Sequence, residues 1–501
     1  MTADRLSART LAALAPVPRG VRLPGPRPAS TGIVHLGLGA FHRAHQAVLT
    51  EDAAAETGDD RWGIHGVTQR SARVVDQLAP QDGLYGVLSL GLDAEGAETA
   101  ALRVVGSVRE ASYPGRDTAR VLSTLAAPST HVVTLTVTEK GYRRAADGHP
   151  DLNDPDLASD LAALADELGH TPERPTEARS PIGLLVRGLA HRRRAGSGPL
   201  TVVCCDNLVD NGPALATLVT EVLAATPGSR SLQDWVAEHV RFPATMVDRI
   251  VPATAPQHRE LAQAMLGLAD EGLVVAEPFI QWVIQDDFAG PRPAWERAGA
   301  TLTDDVAPYE RAKLRVLNAT HSTLAYAGAL RGHATIAEAM VDPVLASLAR
   351  TLVDQDVLPT LVAPDGFDLA AYRDQVLTRF ANPATGHTTV QVAMDGSQKL
   401  PIRLLGTVRD RLAAGVVPTA SAQAVAAWIA YVTAAARGTL EVNGRRVPLD
   451  DPAAGALAAA VDGPAHGLAD RFLDLRDVFG DLSDHDGWRA AVRDALEGRP
   501  A

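Results

Sequence analysis

The run Gly32-Ile33-Val34-His35-Leu36-Gly37-Leu38-Gly39 limits the fold more than any other part of this chain. Its apolar, β-branched start reads as a short buried strand, and the two glycines mark a sharp turn. From about Arg43 to Ala55 an Ala-rich stretch with helical spacing follows. A strand that turns directly into a helix is the opening of a parallel sheet, whose strands must be joined by crossovers.

Further β-rich runs at Trp62 to Thr68, Tyr85 to Leu90, His131 to Val137 and Leu200 to Cys205 alternate with helical stretches such as Asp156 to Leu168 and Gly212 to Ala224. The alternation predicts an open, mostly parallel α/β sheet. After about Pro291 long Ala/Leu-rich helical stretches take over: Pro308 to Leu330, Ile336 to Val353, Ala370 to Phe380, Ser421 to Ala436 and Trp488 to Leu496. A chain of 501 residues is expected to form two cores. The fold class is therefore α/β: a Rossmann-like, doubly wound domain over residues 1–290, then a mainly α-helical domain over residues 291–501, joined at the Gly/Pro-rich stretch from Phe288 to Pro293.

Charge excludes one class of partner. The chain carries 47 Lys and Arg against 60 Asp and Glu, a formal charge of −13, and no dense basic run that could track a nucleic-acid backbone. The two cysteines, Cys204 and Cys205, are adjacent, so they cannot supply the spaced thiolates of a structural zinc site, and they fit a reducing compartment. No stretch approaches a membrane span and the N-terminal region lacks an apolar signal core, which makes the expected location cytoplasmic, with no membrane partner.

Gly37 and Gly39 fill the first two places of a dinucleotide-binding turn, the first letting the chain bend and the second admitting a pyrophosphate. The third place holds His42 where the general pattern has Gly or Ala. The Trp62 to Thr68 strand ends in Gln69, Arg70 and Ser71, with no acid for the ribose hydroxyls. NAD and NADP both stay open, because Arg70 or Arg73 can meet a 2′-phosphate or simply face solvent. Thr138-Glu139-Lys140-Gly141-Tyr142 puts polar groups where a nicotinamide would lie, although a plain strand-end turn explains them as well.

The stretch from Tyr309 to His321 carries the chemistry. At about 100° per residue, Glu310, Lys313, Asn318 and His321 share a face roughly 140° wide with Leu314, Leu317 and Leu324. Burying an amine, an amide and an imidazole is costly unless they are paired. The face therefore lines a pocket, or else Lys313 reaches for solvent while the others are satisfied at a domain surface. In the pocket, Lys313 can be the base for alcohol oxidation, its pKa lowered from about 10.4 by desolvation. Asn318 and Asn207 can then hold the substrate oxygen, and His321 a neighbouring hydroxyl.

Taken together, Gly37-Leu-Gly-Ala-Phe-His-Arg-Ala-His-Gln46, Thr138 to Tyr142, Cys205-Asp-Asn207, Phe242 to Ile250, Glu277-Pro-Phe-Ile-Gln-Trp282 and Lys313 to His321 resemble the polyol-specific long-chain dehydrogenase/reductase family, the mannitol dehydrogenase family, over nearly the whole chain. The resemblance implies an NAD(H)-linked enzyme with a zinc-free site in a cleft between two domains. It implies Lys313 as general acid/base, Asn207 and Asn318 as the oxyanion site, His321 orienting substrate, Glu139 on a proton path and Asp248 touching substrate. Cofactor contacts fall to Gly37, Gly39, Phe41, His42, Arg43, Gln69, Arg70 and Thr138, and a histidine at position 42 is ordinary in this family.

Arg379-Phe-Ala-Asn-Pro383 and the segment from Met394 to Arg403 are more similar to the fructuronate reductases of the family than to its mannitol 2-dehydrogenases. The physical difference is a carboxylate on the substrate, which Arg379, Lys399 or Arg403 can pair with. The expected activity is NAD(H)-dependent, metal-independent reduction of D-fructuronate to D-mannonate. Mannitol/fructose interconversion is the alternative, and a catalytically silent nucleotide-binding regulator is the third reading. A metal site on His35, His42 and His45 is disfavoured because all three sit in the nucleotide-binding region and His42 and His45 lie at the cofactor turn and helix start, where a phosphate contact or an N-terminal helix position explains them better. The expected partner is a small sugar acid or polyol, and the sequence leaves the oligomeric state open.

Overall fold

The central strand, Thr31–Leu36 (β1), is buried along nearly its whole length. Val34 and Leu36 pack into one core with Val121, Leu185 and Leu218, while Ile33 packs on the opposite face with Ala47, Leu49 and Trp282. A strand covered on both faces needs parallel neighbours joined by helices. It finds them in Gly63–Val67 (β2), Val108–Ser112 (β3), Val132–Leu135 (β4), Leu200–Cys204 (β5) and Val240–Arg241 (β6). All pairings in this sheet are parallel, and the order is β3-β2-β1-β4-β5-β6. The direction of winding reverses between β1 and β4, where such sheets place their ligands.

This computed structural model describes residues 3–498 apart from residues 94, 146, 171 and 172. The chain divides into two units, Met1–Val306 and Ala307–Ala501. In the first, Tyr85 to Leu90 does not join the parallel sheet, contrary to the alternation read from sequence. Tyr85–Leu92 instead pairs antiparallel with Glu98–Val105 in a separate four-stranded sheet. The cause is local, since the Asp93 carboxylate accepts from the backbone N–H groups of Glu95 and Ala97 and closes a hairpin. The helical stretch from Arg43 is also broken, into Ala40–Ala44 (α1) and Gln46–Thr57 (α2), by a non-helical backbone at His45 (φ −122°, ψ −89°). Past the Gly/Pro-rich stretch the chain still belongs to this unit. Thr245–Asp248 (β7) pairs with Gln281–Gln285 (β8), and β8 pairs in turn with Thr301–Thr303.

The second unit is helical. It begins with Ala307–Ala312 (α3), a π-helical segment Lys313–Asn318, and Ala319–Leu330 (α4), and it includes Leu369–Phe380 (α5) and Thr419–Ala436 (α6), which packs on α4. The single helix expected from Ile336 to Val353 is interrupted at Asp342, whose carboxylate accepts from Val344 N–H at 2.9 Å and starts a new helix at Pro343. Among the described residues no helix is long and apolar enough to cross a membrane.

Gly37 fixes the turn after β1. Its φ is +103°, and a Cβ there would lie 2.1 Å from the Thr136 carbonyl oxygen. Gly37→Ala is expected to cost about 2–4 kcal/mol through strain and clash, read as a lowered urea midpoint. An unchanged midpoint would show that the turn relaxes around a side chain.

Candidate active site

The turn from Gly37 to Gly39 is held by the N–H groups of Gly37 and Leu38, which donate to the Val67 carbonyl at 2.8 and 3.0 Å. At Gly39 the backbone is open, since the nearest atom to a Cβ would be the Gly37 carbonyl oxygen at 3.6 Å. Beneath the turn the rings of His35 and His42 stack with centroids 3.3 Å apart. His35 bonds Thr134 Oγ1 at 2.7 Å and Thr136 Oγ1 at 2.8 Å. Burial keeps both imidazoles neutral, lowering His35 to about 3 and His42 well below its ordinary value. Phe41 stacks on His45 at 5.1 Å. Arg43 is turned inward, where it donates to the Gly39 and Gly272 carbonyls and lies over the Tyr85 ring, so its guanidinium is committed to holding the turn.

Gln69 stands at the end of β2 with its Nε2 buried and, among the described residues, without a hydrogen-bond partner, while Arg70 is exposed. An open glycine backbone beside an unsatisfied amide suits a dinucleotide, whose phosphates and ribose offer acceptors. Among the described residues no three His, Cys, Asp or Glu side chains form a metal-ligand set.

On the other side of the switch point, the chain leaves β4 through a strained residue. Thr138 has φ +67° and ψ 159°, a region that β-branched residues rarely enter and that costs about 1–3 kcal/mol. Glu139 follows, exposed at the start of a short 3₁₀ turn, Glu139–Tyr142, whose last residue is buried. Asn207 is exposed just beyond β5, and Asp248 is buried at the end of β7. Between these groups lies Asp206, whose carboxylate accepts from Val137 N–H and Thr138 N–H at 2.9 Å each and from the Tyr142 hydroxyl at 2.6 Å. Burial raises its pKa against the pull of these three donors. Sequence reasoning assigned Asp206 and Tyr142 no part, and the only signal was an acid and a tyrosine inside the two quoted strand-end motifs.

In the second unit Lys313 and Asn318 are 8% and 7% exposed, so the lysine does not reach for solvent. They open and close the π segment. Its hydrogen bonds run from i to i+5, which returns Asn318 more nearly to the lysine's side than a regular α-helix would. The outward side of the segment is tied by Arg315, which donates to Asp410 Oδ2 at 2.6 Å and Thr360 Oγ1 at 2.7 Å. Asn318 Nδ2 and His321 Nε2 are buried and have no hydrogen-bond partner among the described residues.

The His321 ring lies against Phe380 at 4.8 Å and His387 at 5.2 Å. Burial first, then His387, Arg403, Arg379 and Lys399, push its pKa well below the ordinary value. Arg379, Lys399 and Arg403 thus each act electrostatically on this imidazole, as does His387, which nothing in the sequence singles out. Arg379 is 6% exposed at the end of α5. Arg403 donates to Ser322 Oγ at 3.0 Å, and Lys399 Nζ donates to the Met394 carbonyl at 2.5 Å with Asp395 at 3.7 Å.

Residues 31–297 match the mannitol dehydrogenase Rossmann domain, and residues 305–498 match the mannitol dehydrogenase C-terminal domain. The chain belongs to the mannitol dehydrogenase family, and it is an oxidoreductase of that family acting on polyol CH–OH groups. It is 41% identical to the D-mannonate oxidoreductase of Escherichia coli K12 over 84% of this chain and 82% of the relative. It is 37% identical to the mannitol 2-dehydrogenase of Cereibacter sphaeroides over 93% of each. The Pseudomonas fluorescens mannitol 2-dehydrogenase, solved as a ternary complex with NAD and D-mannitol, superposes with a TM-score of 0.80 at 33% identity, covering 99% of this chain and 96% of the other.

The buried imidazoles give a sign to the pH dependence of folding. The His35 value is lowered from 6.5 to about 3, so as pH falls below 6.5 the unfolded chain takes up a proton that the folded chain refuses. Stability present above that pH is lost on acidification, at about 1.4 kcal/mol per pH unit for each such histidine. Urea unfolding between about pH 6.5 and 4 should be less steep in His35→Asn than in wild type by that amount. Equal slopes would mean that His35 accepts a proton within the fold.

Proposed function

We propose that this enzyme uses NADH to reduce the ketone of a hexuronate to a secondary alcohol, D-fructuronate to D-mannonate, with Lys313 as the proton-transfer group. The observation that carries the reading is the gathering of Arg379, Lys399 and Arg403 around the neutral His321, on the helix that follows Lys313 and Asn318. Cations held together in partly buried surroundings favour an anionic ligand, and a guanidinium suits a carboxylate bidentately. Of the three, Arg379 and Arg403 carry the planar guanidinium that can hold a carboxylate through two parallel hydrogen bonds, which makes them the stronger candidates.

The open turn at Gly37 and Gly39, Phe41 and His42 beneath it, and the edges at Gln69, Arg70 and Thr138 would hold the dinucleotide, which when bound supplies the hydride. Arg43 takes part through the turn that its side chain ties down. The relative solved with NAD supports this cofactor. The absence of an acid after β2 keeps NADPH in the comparison.

Lys313, as ammonium, gives its proton to the ketone oxygen while the carbon gains hydrogen, and as free amine it takes the proton back in the reverse direction. Its low exposure keeps water from competing for that proton. The amides of Asn318 and Asn207 donate to the same oxygen as negative charge develops on it. His321, held neutral, orients a neighbouring hydroxyl, Asp248 accepts from another, and Glu139 passes the proton to solvent.

A second reading, D-mannitol/D-fructose interconversion, is favoured by the neutral surroundings of part of the cluster, where Arg403 is tied to Ser322 and His321 stacks on Phe380. Initial rates of NADH oxidation with D-fructuronate, D-tagaturonate and D-fructose, repeated with NADPH, separate the two. Fructuronate is expected to give the highest kcat/KM, and a preference for fructose would transfer the same lysine chemistry to the neutral sugar. Lys313→Ala should lower kcat by at least about 100-fold with NADH binding near normal, and a kcat close to wild type would sink the mechanism. Arg379→Ala or Arg403→Ala should cost much more kcat/KM on the uronate than on fructose, whereas equal losses would count against a carboxylate contact.

A further inference from the structure

Three donors converge on the Asp206 carboxylate, and all three come from the segment that carries Glu139. Val137 and Thr138 donate their backbone N–H groups at the start of the turn, and the Tyr142 hydroxyl donates at its end. The turn is thus stapled at both ends to one side chain. Between the staples sits Thr138 at φ +67°, a conformation open to glycine but strained for a β-branched residue. Without an outside hold, such a residue returns to the extended region and swings the following residues with it.

Asp206 is itself fixed. Its own carbonyl accepts from Asn211 Nδ2 at 3.1 Å, and Asn211 exchanges hydrogen bonds with Thr245 at the start of β7, accepting from its N–H and donating to its carbonyl at 2.9 Å each. Tyr142 is 1% exposed, and its hydroxyl also contacts Cys204 Sγ at 3.0 Å. Gly141 fits the tight turn, since a Cβ there would meet Val137 Cβ at 3.0 Å.

We infer that Asp206 and Tyr142 are positioning residues that hold Thr138 in its disfavoured conformation and thereby set the carboxylate of Glu139 beside Asn207, the neighbour of Asp206. The inference rests on the proposed roles of Glu139 and Asn207. It predicts a specific rescue, because glycine adopts the Thr138 conformation unaided and makes the clamp dispensable.

The test is a double-mutant cycle run on whichever ketose the wild type turns over fastest, so an error in the substrate assignment leaves it intact. Asp206→Asn should lower kcat at least about tenfold with the NADH Kd within about threefold, and in the Thr138→Gly background the same substitution should cost less than about threefold. Amide exchange in the Val137–Tyr142 peptide should speed up in Asp206→Asn and in Tyr142→Phe, a readout that needs no substrate. Should Asp206→Asn fail to fold, Tyr142→Phe enters the same cycle, with a smaller loss and the same rescue. Equal losses in both backgrounds, or a wild-type kcat in Asp206→Asn, would overturn the inference. Wild-type rates in both Glu139→Gln and Asn207→Ala would overturn the link from clamp to chemistry while leaving the exchange result standing, which separates that failure from failure of the clamp.

Discussion

The close approach of β1 and β4 governs the first unit. Gly37 lies so near the Thr136 carbonyl that no side chain fits between them, and Thr136 in turn donates its hydroxyl to the Gly37 carbonyl at 2.9 Å. These contacts join the two strands at the point where the winding of the sheet reverses, so the turns leaving both strands emerge side by side. One turn is kept open by glycine, the nearest atom lying 3.6 Å from where a Cβ at Gly39 would be. The other carries Thr138 and Glu139. Buried neutral histidines floor the site, and their burial lets the rings of His35 and His42 stack without the repulsion that two imidazolium ions would bring.

The second unit solves a different problem, which is how to keep several cations near one another with little water. Arg379, Lys399 and Arg403 all come from helices, and the imidazole they act on is driven to its neutral form. Part of the charge is spread onto backbone carbonyls and hydroxyls, as Lys399 does with Met394 and Arg403 with Ser322. The π segment contributes geometry. An extra residue in the turn brings lysine and asparagine toward one side, and Arg315 anchors the opposite side to Asp410 and Thr360. A π turn is less stable than α-helix and persists only where surrounding contacts hold it, which is why such turns concentrate at functional sites.

Much of this was legible in the chain itself. A glycine turn after a buried strand, alternation of β and helical runs, and a change to Ala/Leu periodicity are local signals, and they carry the parallel sheet and the helical unit. Lys313, Asn318 and His321 stood out because polar residues interrupted an apolar face. The sheet that the Tyr85 strand joins is not legible, because strand propensity says nothing about pairing partner and a short Asp-closed turn decides that pairing. The π segment was invisible because a period of 3.6 was assumed along a stretch whose hydrogen bonds shift by one residue. Asp206 is hidden for a related reason, since a strand-end acid looks the same in sequence whether it faces solvent or gathers three donors. His387 lies far along the chain from His321, and only tertiary folding stacks them.

Each unit holds groups in states they would not choose alone: a threonine in glycine's conformation in the first, and cations and an imidazole away from water in the second. Each state is held by a different kind of contact. Strain at Thr138 is offset by charge-assisted hydrogen bonds to one carboxylate, which are directional and fail if the acceptor moves by a fraction of an ångström. Desolvation around His321 is offset by dispersed contacts with carbonyls, hydroxyls and aromatic rings, which tolerate small displacements. The first unit should therefore be the more sensitive to single conservative substitutions that keep size but change hydrogen bonding. The second should respond chiefly to changes of charge, because adding or removing one cation alters the field felt by every other group in the cluster.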